Sequence, residues 1–142
     1  METQQLHVGR LIDHVHLIVR DLDASKRFYV AALGAVGRGI VGEGEGYFHS
    51  DELFVSDQRM ATTGPSHVHL AFQAKDRETV ERFHAAAVAA GGTSHGEPGL
   101  REQYHPGYYG AFVLDPDGNN IEAVFHGPAK RSAESVVVRF ES

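Results

Sequence analysis

The chain repeats itself. Displaced by 55 positions, segment 14–32 lies on 69–87 without a gap, matching His14 to His69, Asp21 to Asp76, Arg27 to Arg82 and Phe28 to Phe83. Ala31 and Ala32 fall on Ala86 and Ala87 in the same register. Each copy opens on a stretch that alternates histidine with aliphatic residues, the period-2 pattern of a two-faced strand. In Leu11–Val19, Val15, Leu17 and Val19 point one way and His14, His16 and Ile18 the other. In His67–Ala74, Val68, Leu70 and Phe72 oppose His67, His69 and Ala71.

A helix follows each strand. Asp21 or Asp23 can cap the first, whose apolar stripe is Phe28, Tyr29, Ala32 and Leu33, with Gly34 as its stop. The second is expected from Asp76 to about Ala90, carrying Val80, Phe83, His84 and Ala87 and ended by Gly91-Gly92. Short strands are expected at 35–41, 46–49 and 52–56, then at 93–95, 111–114 and 120–125. Asp115-Pro116-Asp117-Gly118 is a hairpin turn between the last two.

The fold class is therefore α+β, with two βαβββ modules at about 10–58 and 65–127 in a single domain. A module this small cannot cover its own sheet, so the two must pack, within a chain or between chains. In the extension 128–142, Ser135–Phe140 reads as a strand with no partner in the repeat: an edge strand, a subunit contact or a frayed terminus.

Composition narrows the chemistry. The absence of cysteine excludes disulfides, thiolate metal sites and a cysteine nucleophile, and fits a reducing cytosol. A net charge of −6 argues against nucleic acid. No apolar run approaches a membrane span, and residues 1–9 lack a secretory core, so a cytoplasmic protein is expected. Motifs for phosphate loops, dinucleotide binding, serine hydrolysis and helical zinc proteases are missing.

Imidazole and carboxylate remain as strong metal ligands. A strand histidine taken alone is ordinarily a surface or hydrogen-bonded residue. Strand parity, however, puts His14, His69 and Glu122 on one side and Val15, Leu17, Val68, Leu70, Ile121 and Ala123 on the other. Two histidines and a carboxylate from three strands suit a catalytic divalent metal. Pairing His14 with His67 instead needs a shift of 53 and breaks the helix register; the error would be one strand step, about 7 Å. His16 and His67 line the same face, whereas His7, His49, His84, His95, His105 and His126 read as structural or solvated. Segment 95–110 reads as a long connection carrying Arg101, Tyr104, Tyr108 and Tyr109, a binding loop or a decorated surface loop.

Asp13-His14 with Asp21, Ser25-x-x-Phe28-Tyr29, His69-x-Ala71-Phe72 and Asp115-Pro116-Asp117-Gly118 followed by Glu122 resemble the vicinal oxygen chelate superfamily, the glyoxalase, bleomycin-resistance and extradiol-dioxygenase group. The resemblance runs from Leu11 to His126. It implies paired βαβββ units curled into a cupped mixed sheet around a divalent ion (Fe, Mn, Ni, Co or Zn), with His14, His69 and Glu122 as ligands. It also implies a homodimer and a small oxygen-rich substrate held through adjacent oxygens. In glyoxalase I-like members a fourth ligand, a glutamate, closes the first unit; here Phe54 falls at that position, and Glu52 is the reserve candidate for ligand or base. Arg101, Tyr104 and Tyr109 are the expected substrate-binding residues. The rival expectation is a metal-free protein that sequesters a drug-like ligand.

Overall fold

A computed structural model describes residues 5–60, 63–131 and 135–139. The strands are β1 (Gln5–Val8), β2 (Val15–Val19), β3 (Gly42–Gly44), β4 (Tyr47–Ser50), β5 (Leu53–Asp57), β6 (His69–Gln73), β7 (Thr93–Leu100), β8 (Tyr109–Leu114), β9 (Asn120–Phe125) and β10 (Val136–Arg139). The helices are α1 (Leu22–Ala35) and α2 (Arg77–Ala89). Residues 1–22, 40–65 and 130–142 form one compact unit; residues 23–39 and 66–129 form another. Packing therefore divides the chain differently from the repeat, since α1 of the first copy belongs with the strands of the second.

The first unit holds a sheet in the order β2-β5-β4-β3 and a separate antiparallel pair, β1 with β10. The second holds the sheet β6-β9-β8-β7. Both four-stranded sheets begin with a parallel pair and continue antiparallel. Registers agree as well: Val15 pairs with Leu53 as Leu70 pairs with Ile121. With Leu53 set on Ile121 the two registers match at a shift of 55, and the helices also begin 55 apart, at Leu22 and Arg77. The same register sets Phe54 where the second copy has Glu122, and Glu52 where it has Asn120.

In the second unit, apolar positions three and four apart along each helix drive the packing. Phe28, Tyr29 and Ala32 of α1 and Val80, Phe83 and Ala87 of α2 are fully buried, as are Ala111, Val113, Ile121 and Ala123 of the sheet. Asp76 caps α2: its Oδ1 accepts from the Thr79 amide at 2.7 Å and the Thr79 hydroxyl at 2.6 Å. Those bonds to Thr79 hold the Asp76 carboxyl below its ordinary pKa. Gly92 lets helix, hairpin and α1 meet, because a Cβ there would lie 2.5 Å from Val113 and 2.6 Å from Phe28. Tyr29 of α1 donates to Asp115 Oδ2 at 2.6 Å, fastening α1 to the turn before β9. Asp115 organises that turn, accepting also from the amides of Asp117 and Asn119.

Several expectations need correcting. Segment 35–41 is not a strand: α1 runs through Gly34 to Ala35, and the chain reverses at Gly37, whose φ of +84° suits glycine. The first strand of the second copy starts at His69, two residues later than expected, and His67 lies outside it. β7 extends through Leu100, so much of the presumed long connection is strand. Its register shifts between Ser94, Gly96 and Gly99 hid it, since bulges break alternation. The C-terminal strand, expected to have no partner in the repeat, pairs with β1, which lies before the first module. Position 140 lies outside the described residues.

Candidate active site

Glu122 is the centre of the arrangement. It lies in the middle of β9 and is only 2% exposed, flanked by buried Ile121 and Ala123 whose side chains take the opposite face. A buried carboxylate is costly unless it is paired or hydrogen-bonded. Here His69 Nε2 lies 2.8 Å from Glu122 Oε1, and the Tyr108 hydroxyl donates to Oε2. Among the described residues no lysine or arginine pairs with it. Burial, followed by the bond to Glu122, pushes the Tyr108 phenol far above its ordinary pKa, so it stays a donor. Gly110 makes the contact possible: a Cβ there would press on the Tyr108 ring at 3.2 Å and on Glu122 Oε2 at 3.3 Å.

The rest of this face follows from strand pairing. Phe112 sits opposite Glu122 in the β8/β9 ladder, and its ring packs 5.9 Å from the His69 ring. Arg101 lies over Phe112 with its guanidinium carbon 5.4 Å from the ring centroid, and donates from Nη2 to the Glu97 carbonyl at 2.7 Å. Gly96 and Gly99 leave room for it, since Cβ atoms there would stand 3.2 and 3.0 Å from the guanidinium nitrogens. The guanidinium therefore lies along the bulged β7 with no carboxylate partner among the described residues. Asn120, opposite His69 in the ladder, has a buried Oδ1 without a protein hydrogen-bond partner.

The structure brings together His69, Glu122, Phe112, Tyr108 and Arg101. Tyr109 does not join them: its hydroxyl donates to Glu81 of α2 at 2.8 Å, and Arg77 stands over its ring at 4.8 Å. Parity explains the difference. Tyr109 shares the helix-facing side with Ala111 and Val113, so Tyr108, one residue earlier, turns to the other side. That alternation was legible once the β8/β9 hairpin was anchored on the turn. Tyr104 is 58% exposed and packs its ring on Tyr108 at 4.8 Å.

In the first unit, His14 is exposed and its Nδ1 lies 2.7 Å from Asp13 Oδ1. Glu52 precedes β5, and its carboxylate lies beside Gly9. Where the second copy has Glu122, Phe54 forms an aromatic row instead, stacked with Tyr47 at 5.3 Å and with His49 at 6.2 Å, with His16 edge-on at 5.1 Å. His16 Nε2 meets the Ser56 hydroxyl at 2.6 Å. Among the described residues, no group of three His, Asp or Glu side chains is close enough to hold a metal ion.

The donors of the second unit still fit a divalent cation. Two ligands at about 2.1 Å stand about 3.0 Å apart in octahedral and about 3.4 Å apart in tetrahedral coordination, so a small widening of the 2.8 Å between His69 Nε2 and Glu122 Oε1 would admit an ion. The orphaned Asn120 oxygen adds an acceptor on the same strand face.

The family model of the Glyoxalase/Bleomycin resistance protein/Dioxygenase superfamily matches residues 11–123. The chain is similar to a crystal structure described as a glyoxalase/bleomycin resistance protein from Albidiferax ferrireducens T118, with 34% identity over 80% of this chain and 97% of that one and a TM-score of 0.67. The fold is also shared with a glyoxalase-related enzyme from Fulvimarina pelagi, at 21% identity over 90% and 96% of the two chains and a TM-score of 0.66. Lactoylglutathione lyase from Agrobacterium tumefaciens aligns at 21% identity over 82% and 93%, with a TM-score of 0.59. No curated protein matches the chain. Among the described residues no helix is long and apolar enough to cross a membrane.

Proposed function

Because the chain belongs to the Glyoxalase/Bleomycin resistance protein/Dioxygenase superfamily, we propose that it is a metal-dependent enzyme acting on a small, oxygen-rich metabolite or xenobiotic. The observation that carries this reading is the buried Glu122 carboxylate, met by His69 and a phenol and, among the described residues, by no lysine or arginine. His69 and Glu122 would hold the ion, with His14, the repeat equivalent of His69, as third ligand. Bound there, a divalent metal would polarise two adjacent substrate oxygens and stabilise negative charge on them.

The chain's own residues would do the rest. Arg101 offers two or more N–H donors to an anionic end of the substrate, oriented by the Glu97 carbonyl and the Phe112 ring. The Tyr108 phenol, kept protonated, holds one oxygen of Glu122 and leaves the other to face His69. Phe112 supplies an apolar wall. Phe54 in place of a glutamate leaves three protein ligands and open positions, closer to the fosfomycin-modifying and dioxygenase branches than to glyoxalase I. Glu52 remains the reserve base. A homodimer is part of the proposal, as is a cytoplasmic location.

Elemental analysis of the protein purified without added metal tests the reading, followed by turnover assays with hemithioacetals, catechols and epoxides plus thiols. A stoichiometric divalent metal lost in His69→Ala and Glu122→Gln is expected. Protein that takes up no divalent metal overturns the enzyme. The second reading, a metal-free binding protein, is favoured by the row Tyr47, Phe54, His49, which offers flat rings where a ligand glutamate would stand. A tight aromatic ligand bound without metal would then be found.

A further inference from the structure

Two histidines expected to be structural or solvated meet at the edge of this cluster. His105, in the turn between β7 and β8, points its Nε2 at Nδ1 of His126, just beyond β9, at 2.8 Å. The rings are within 23° of parallel with centroids 5.1 Å apart, so the contact is close to in-line. The backbones touch alongside: Gly107 and Gly127 both have φ of +88°, and a Cβ on Gly127 would lie 3.2 Å from the Gly107 carbonyl oxygen. The sequence brackets this approach with His105-Pro106-Gly107 and His126-Gly127-Pro128. Tyr108 packs edge-on against both imidazoles, 5.3 Å from His105 and 5.5 Å from His126, and its hydroxyl reaches Glu122.

We propose that His105 and His126 form a one-proton clasp that closes the turn 101–108 and sets Tyr108 on Glu122, and that a second proton opens it. Proton positions follow from the acceptors. His105 Nδ1 lies 2.9 Å from the Pro106 carbonyl, which only accepts, so Nδ1 carries hydrogen. In the neutral pair His105 Nε2 is then bare and accepts from His126 Nδ1–H. One added proton is accommodated on His126 Nε2 with the bond intact. A further proton must go to His105 Nε2, where it would face His126 Nδ1–H across 2.8 Å. That arrangement is repulsive in both sterics and charge, so the bond must break.

The sign is fixed by linkage. The open turn can bind one more proton than the closed one, so closure weakens as pH falls, by up to about tenfold per pH unit. Other ionisable groups around the pair are accounted for. Glu102 is engaged by the Gly107 amide at 3.0 Å, Tyr104 lies on Tyr108, Arg101 is held by the Glu97 carbonyl, and Glu122 is reached only through Tyr108. The clasp stands without the metal reading; only its consequence for the site rests on Glu122 being the site's carboxylate.

Amide hydrogen exchange, corrected for intrinsic rates, reads closure directly. The Arg101 amide, which donates to the Tyr108 carbonyl at 2.8 Å, and the Gly107 amide are the reporters. Their protection should fall up to about tenfold per pH unit at the acid end, in protein as purified and equally after chelation. His126→Phe, which keeps the ring packing and loses the bond, should lower protection at every pH and abolish the pH step. His126→Asn places an amide nitrogen where Nδ1 was and can reverse its donor and acceptor, so it should restore protection and still lack the step. Undiminished protection in a folded His126→Phe, or a step that survives in His126→Asn, overturns the proposal. Loss of metal binding with the step retained overturns the enzymatic reading alone.

Discussion

His69 reaches Glu122 on a diagonal: the ladder pairs Glu122 with Ala71 and His69 with Asn120, yet Nε2 lies 2.8 Å from Oε1. Ala71 puts only a methyl group directly beside Glu122, and the imidazole leans across it. This diagonal makes His69 the histidine of the second copy that is in contact with the carboxylate, while His67 is exposed and outside β6. His69→Ala and Glu122→Gln are therefore expected to weaken divalent-metal binding at least about 100-fold, beyond the range usual for groups that only support ligands. His67→Ala should change it by less than about threefold. Titration calorimetry on the three variants checks this, and equal losses in all three would sink the assignment.

Arg101 depends on glycines for its course. Gly99→Ala brings a methyl to 3.0 Å from its guanidinium, a flexible group that can move, so stability should change by less than about 1 kcal/mol. An anionic substrate or inhibitor should nonetheless bind about tenfold more weakly. Arg101→Lys should not restore what Arg101→Ala loses, because the ammonium lacks the planar fork. Inhibition constants for small carboxylates, read beside melting curves, separate the two effects.

The Tyr29–Asp115 bond links α1 to the β8/β9 turn inside the core of the second unit. Tyr29→Phe should cost about 1.5–3 kcal/mol, the range for a hydrogen bond to a charged group. Burial first, and Asp115 next, raise the Tyr29 phenol well above its ordinary pKa. The folded value exceeds the unfolded one, so this stabilisation is complete below about pH 10 and declines as pH rises toward the folded value. Urea denaturation across pH 8–11 should show a steeper alkaline loss in the wild type than in Tyr29→Phe.

Phe54 occupies the position of Glu122 in the first copy. Under the proposed ligand set, Phe54→Glu would add a carboxylate and tighten metal binding by roughly tenfold, about 1.4 kcal/mol. It would also break the stack with Tyr47 and His49, costing about 1–3 kcal/mol of metal-free stability. Unchanged metal affinity in a folded variant would argue that the first copy contributes no ligand at this position.

The duplication was legible because strand and helix periods are local: His14 and His69, Phe28 and Phe83, and the Asp76 cap could be read from neighbours a few residues away. Parity around the Asp115–Gly118 turn also put Glu122 opposite Ile121 and Ala123. Bulges at Gly96 and Gly99 defeated the same reasoning, since one inserted residue reverses every later face. What only tertiary structure decided was which distant groups meet: α1 with the second sheet, β1 with β10, the Tyr108 hydroxyl with Glu122, and His105 with His126. Those contacts depend on long-range backbone approach, at Gly92, Gly110, Gly107 and Gly127, and no local period encodes such approach.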